Sequence, residues 1–114
     1  MSNLGLMFEI GDGVSANRRA AMRWYRIAAG SGDTFAQVNL GLMQLGGRGT
    51  RQSRLEGAQW LKKAARKRDR RALYNLGVAY LRGDGVKEDR RTAERYIRNA
   101  AELGDEDARA YLAN

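Results

Sequence analysis

Seven of the ten residues from Lys62 to Arg71 are basic: Lys62, Lys63, Arg66, Lys67, Arg68, Arg70 and Arg71. A run of that density can neutralise phosphates, but it lacks the interleaved aromatics of a single-strand stacking platform. It straddles a helix end, where cations also favour the helix dipole. Two triplets, Gly11-Asp12-Gly13 and Gly83-Asp84-Gly85, have residue types found in phosphate or calcium loops. Neither has the context: there is no Gly-Lys-Ser/Thr, no preceding strand and too few carboxylates. They read as helix-to-helix turns. Glu94 and Glu102 have no partner acid or base arranged near them, so they make no case for acid–base catalysis. The 114 residues include no Cys and no His. Disulfides, thiolate catalysis, His general bases and nearly every ordinary transition-metal site are thereby excluded, leaving carboxylates, Lys or Ser as the groups an enzyme could still use. The chain is expected to be no enzyme and to need no cofactor or metal.

The formal net charge is +8. Residues 1–74 carry 14 basic and 5 acidic side chains, whereas residues 75–114 carry 7 and 8. A basic body suits an acidic protein, nucleic acid or an anionic surface, and arginine also simply keeps a small helical protein soluble. No apolar run approaches the ~18 residues of a membrane span. The N-terminal residues lack the pattern of a signal peptide, so a cytoplasmic location is expected.

What must position these side chains is a repeat. Asn-Leu-Gly occurs at 3–5, 39–41 and 75–77, a spacing of 36 both times. In that register Gly11, Gly47 and Gly83 align, as do Gly13, Gly49 and Gly85. Further columns hold Ala28, Ala64 and Ala100, then Asp33, Asp69 and Asp105, and the aromatics Trp24, Trp60 and Tyr96. Residues 1–114 therefore read as one domain with repeats 3–38, 39–74 and 75–110 and a stub at 111–114.

Each copy reads as two helices. Asp33, Asp69 and Asp105 are expected to cap the first helix of a pair. The second helix is expected to start after Asn17, Ser53 or Asp89, with Ser53 and Glu56 forming a capping box. Gly32 and Gly104 suit a left-handed residue just past a helix end. Arg68 holds that place in the middle copy, so that end should be less tidy. Gly5, Gly41 and Gly77 fall inside helices, where glycine costs roughly 1 kcal/mol against alanine. Pairing with Ala28, Ala64 and Ala100 on the second helices would give them a packing reason. One helix pair cannot bury its apolar stripe alone, so three copies must stack.

Ala36-x-x-x-Leu40-Gly41, Gly47-x-Gly49, Ala58-x-Trp60 and Ala64-Ala65 resemble the Sel1-like repeat, a relative of the tetratricopeptide repeat. Leu76-Gly77-x-x-Tyr80-x-x-Gly83-x-Gly85-Val86-x-x-Asp89-x-x-x-Ala93 is closer still. The resemblance covers residues 3–110. It implies an all-α, right-handed superhelical solenoid of helix pairs and adaptor work on proteins or peptides. Gln44 and Thr50 depart from the family's usual tyrosine and valine. The family's cysteine-rich branch contributes nothing here, because the chain has no Cys.

At 100° per residue, Ala36, Gln37, Met43 and Gln44 lie within about 60° of Leu40 and should face the second helix. Phe35, Val38, Leu42 and Leu45 fall on the opposite side. By analogy with tetratricopeptide stacking that side lines a concave groove, joined by Leu6 from copy one and by Arg71, Tyr74, Val78 and Leu81 from copy three. So apolar a strip suits an amphipathic helix or an extended peptide with apolar anchors and some acidic residues. Alternatively, neighbouring first helices pack together and bury much of it. Asn39 and Asn75 flank the strip and would either bracket a peptide backbone or bond loop carbonyls. The competing partner is a nucleic acid or other polyanion on Lys62, Lys63, Arg66, Lys67, Arg68 and Arg70. Phe8 and Ile10 at one end, with Tyr111 and Leu112 at the other, would allow docking or self-association through the end repeats.

Overall fold

The computed structural model describes residues 15–46 and 50–114, with side chains from residue 19 onward in the first stretch. Six helices follow in order: α1 Ser15–Gly30, α2 Thr34–Leu45, α3 Arg51–Arg66, α4 Arg70–Arg82, α5 Arg90–Glu102 and α6 Glu106–Ala113. No strand occurs among the described residues. Each helix packs on its sequence neighbours, with α2–α3 and α4–α5 the two most extensive pairs. The result is an all-α solenoid of repeated helix pairs in superhelical arrangement. Leu6, Phe8, Ile10, the first Asn-Leu-Gly, and the Gly11-Asp12-Gly13 and Gly47-Arg48-Gly49 turns lie outside the described residues.

The periodic residues set the helix ends. Asp33, Asp69 and Asp105 each accept a hydrogen bond from the backbone N–H three residues on, at 2.8, 3.0 and 2.9 Å. Each satisfies one of the donors a helix start leaves unpaired. The preceding helices all close on a left-handed residue: Gly32 (φ 98°), Arg68 (φ 61°) and Gly104 (φ 95°). There the next N–H returns to the carbonyl five residues back, Asp33 to Ala28 at 3.1 Å and Asp105 to Ala100 at 3.0 Å. The middle end is looser, as expected, with Asp69 N to Ala64 O at 3.4 Å. A Cβ in this conformation crowds the backbone, which glycine avoids and arginine does not.

The start of α3 corrects the capping assignment. Thr50 is the cap, its hydroxyl accepting from Ser53 N at 3.0 Å. Ser53 lies inside the helix and donates to the Gln44 carbonyl at 2.8 Å. Glu56 accepts from the amides of Gln44 and Gln52 instead of completing a capping box. The helix begins earlier than the polar pattern suggests, so Ser53 is already past the cap. Helix α1 likewise begins at Ser15, ahead of Asn17. In copy three Asp89 does cap, accepting from Thr92 N at 3.2 Å and Thr92 Oγ1 at 2.9 Å. The turn before that helix uses two left-handed glycines, Gly83 (φ 73°) and Gly85 (φ 70°). Gly85 also presses on the Arg54 carbonyl, leaving no space for a side chain.

The in-helix glycines have a packing role, with different partners from those expected. Gly41 faces Gly57 and Leu61, and Gly77 faces Ala93 and Ile97, not Ala64 and Ala100. In an antiparallel hairpin with a short loop, a residue near the end of one helix meets one near the start of the next. Ala64 and Ala100 lie too far along their helices.

Two apolar clusters run through the stack. Ala21, Tyr25, Ala28, Ala29, Ala36 and Leu40 join α1 to α2. Val38, Leu61, Leu73, Leu76 and Ile97, with alanines between, join the two helix pairs and α6. Burying each large side chain stabilises by about 1.5–3 kcal/mol. Val38 corrects the helical-wheel reading: it is wholly buried. A helix inside a solenoid touches its hairpin partner and also a neighbouring repeat, so its buried arc is wider than one stripe.

Candidate interaction surfaces

Of the residues assigned to the groove, Phe35, Leu42 and Leu45 lie on α2 and Arg71, Tyr74, Val78 and Leu81 on α4. Phe35 is 41% exposed. The Arg71 guanidinium lies over its ring at 5.6 Å from the centroid, in cation–π range. One repeat's aromatic and the next repeat's cation thus form a single feature. Leu42, Leu45, Tyr74 and Leu81 are half-buried, each packed on the larger core cluster. Val78 is also half-buried. Val38 contributes nothing to this surface, being inside. Packing between repeats therefore removes part of the apolar strip and leaves a narrower band with Phe35, its most exposed member, at the start of α2.

The asparagine amides bond no loop carbonyl; each donates within its own helix. Asn39 Nδ2 donates to Phe35 O at 2.9 Å, and Asn75 Nδ2 to Arg71 O at 2.8 Å. Each amide bonds a carbonyl of its own helix, four residues back. Each side-chain oxygen is left as an acceptor along the same face.

The basic run is not one surface. The turn at 67–69 separates two helices, so its cations diverge. Lys63 Nζ sits over the Trp60 ring at 4.6 Å. Lys67 Nζ donates to Gly32 O at 2.6 Å and so ties the middle repeat to the one before. Arg70 lies beside Gly104, and with Arg71 it lines a shallow depression at the acidic start of α6, by Asp105, Glu106 and Asp107. Lys62, Arg66 and Arg68 share a cleft against Tyr96 and Asn99 of α5.

Sequence columns held one further signal. Tyr80 stacks on Tyr96, centroids 5.7 Å apart and planes at 16°. Gln44 replaces that tyrosine in the middle copy and is 2% exposed. Its Nε2 donates to Glu56 Oε2 at 3.2 Å, while its Oε1 has no partner. Reading the Gln44–Tyr80 column against the Trp60–Tyr96 column would have found the stack in one copy and its loss in the other.

The electrostatics are those of a solvated surface. Thr92's hydroxyl and backbone hydrogen bonds hold the Asp89 carboxyl below the ordinary aspartate range. Arg90 and Glu94 form an exposed pair at 3.9 Å, a contact of little energetic weight. At the far end Tyr111 packs on the core, while Leu112 is 43% exposed. Among the described residues no group of three or more acidic side chains could hold a metal ion, and no helix is long and apolar enough to cross a membrane.

Comparison with known proteins agrees with this architecture. The Sel1 repeat family matches at residues 1–33, 34–69 and 70–105, a division whose second and third repeats start at the helices capped by Asp33 and Asp69. A crystal structure of a protective antigen present in uropathogenic Escherichia coli strains, displaying an SLR fold, is 38% identical with a TM-score of 0.86. The match covers 94% of this chain and 23% of that one. A Sel1 repeat protein from Oxalobacter formigenes is 36% identical with a TM-score of 0.78, covering 97% of this chain and 84% of that one. No match was found among the curated proteins.

Proposed function

The chain belongs to the Sel1 repeat family, whose fold is that of a non-catalytic scaffold, and from that premise we propose that it works as an adaptor gripping a protein or peptide partner on the α2–α4 face. The observation that carries this reading is Phe35. A large aromatic held 41% exposed beside a half-buried apolar band is the kind of anchor that concentrates binding energy. The Arg71 guanidinium above it supplies a positive charge for an acidic partner group. The free acceptors of Asn39 and Asn75 repeat along the same line and suit backbone N–H groups. The fitting partner is an amphipathic helix or extended segment with an apolar anchor beside an acidic residue.

The test is photo-crosslinking from position 39, followed by mass spectrometry and titration of the captured partner. Cross-links confined to this face, with affinity lost in Phe35→Ala, support the proposal. A partner whose affinity is unchanged by Phe35→Ala and Arg71→Glu binds elsewhere.

A further inference from the structure

We propose that the cleft at the junction of α3, α4 and α5 is an oxyanion site for a phosphate monoester. It has a volume of about 390 Å³, and Lys62, Arg66 and Arg68 line it with Asn99 and Tyr96. No carboxylate is in its wall. None of the three cations makes an ion pair with any described residue. Three like charges lining one concavity give it a positive potential that favours a bound dianion.

The repeat register gives a second, independent argument. One repeat earlier, the positions of Lys62, Arg66 and Arg68 hold Arg26, Gly30 and Gly32. One repeat later they hold Arg98, Glu102 and Gly104. The equivalent cleft one repeat earlier holds two cations, Arg26 and Lys63, but also the Glu56 carboxylate; the cleft of Lys62, Arg66 and Arg68 gathers three cations with no carboxylate. Arg68 sharpens the point. It is the one non-glycine with positive φ among the described residues, at a position where the other copies use glycine. A strained backbone retained against an available relief is a feature of functional sites.

The ligand follows from shape and charge. A phosphate monoester carries about −1.5 to −2 charges at neutral pH and three acceptor oxygens. Two guanidinium forks and an ammonium match those acceptors, with the Asn99 amide as a neutral donor. An extended nucleic-acid backbone would need a continuous track. Lys63 and Lys67 are engaged elsewhere, over Trp60 and on the Gly32 carbonyl. The site is separate from the α2–α4 face and does not depend on the reading given for that face.

The experiment is an NMR titration of the full chain with inorganic phosphate and with phosphoserine, at constant ionic strength. Saturable shifts confined to the Arg66 and Arg68 side-chain Nε–H and the Asn99 amide are expected for both probes. Tighter binding of phosphoserine assigns the site to a phosphorylated side chain, and equal binding to the phosphate group alone. Arg68→Gly should weaken binding about tenfold or more while raising thermal stability, so the loss cannot come from unfolding. Lys62→Gln should weaken it similarly, and Lys87→Gln should leave it unchanged. Shifts that do not saturate, or undiminished binding by Arg68→Gly, would overturn the assignment. So would binding of a single-stranded oligonucleotide by a chain that binds neither probe.

Discussion

Gly41 and Gly57 face each other across the α2–α3 hairpin with no room for a methyl group on either. A Cβ on Gly41 would lie 2.9 Å from the Gly57 carbonyl oxygen, and one on Gly57 would lie 2.7 Å from the Gly41 carbonyl oxygen. Both obstacles are backbone, which cannot rotate away. This contact sets how closely the helices of the middle repeat approach, and so how α2 presents Phe35.

Gly57→Ala should therefore destabilise the protein. Helix propensity alone predicts a gain of roughly 1 kcal/mol. Forcing backbones apart in a packed core costs about 1–3 kcal/mol, and here the helices must separate as a unit. A lower urea midpoint is expected. A higher midpoint would show that the hairpin relaxes freely.

Arg68→Gly should stabilise by about 1 kcal/mol, the left-handed strain of a side chain less the extra freedom of an unfolded glycine. Thermal unfolding of the variant checks this. Gly104→Arg, at the equivalent left-handed position one repeat on (φ 95°), should lower stability by at least as much.

Gln37 is 4% exposed, donates to Ala29 O at 3.2 Å and leaves its own Oε1 unpaired. The aligned residue in copy three is Leu73, which is buried. Gln37→Leu removes an unpaired buried acceptor and should stabilise by about 1 kcal/mol. Equal or lower stability in chemical denaturation would mean that the bond to Ala29 outweighs the orphaned oxygen.

Thr92's hydrogen bonds lower the pKa of Asp89, so the folded state favours its carboxylate. That contribution is complete above the ordinary aspartate pKa and is lost as pH falls through the lower, folded-state value. Asp89→Asn should flatten this acid limb while keeping the cap. A carboxyl NMR titration placing Asp89 at or above the ordinary aspartate pKa would contradict the cap's role.

The sequence register carried the local chemistry. Asp33, Asp69 and Asp105 cap as their spacing implies, and Gly32, Arg68 and Gly104 share one conformation, because both features are decided within a few residues. Relations between helices were less legible. Val38 lies 160° from the Leu40 stripe, yet is buried, since the stacking of repeats adds a second contact surface that no single helical wheel contains. The dense run from Lys62 to Arg71 divides over several surfaces because a turn at 67–69 redirects its second half. Thr50, a departure from the family's valine, turned out to be the cap that Ser53 seemed to offer.

The claim that the α2–α4 face binds a partner through Phe35 is tested most directly by titration calorimetry of the cross-linked partner against the wild-type chain and Phe35→Ala, with melting temperatures on the same samples. Phe35 is more exposed than Leu42, which packs on the core, so its truncation disturbs folding less. The account predicts a loss of about 2 kcal/mol in affinity by a chain that still unfolds in one cooperative transition well above the titration temperature. Full affinity in Phe35→Ala would contradict it.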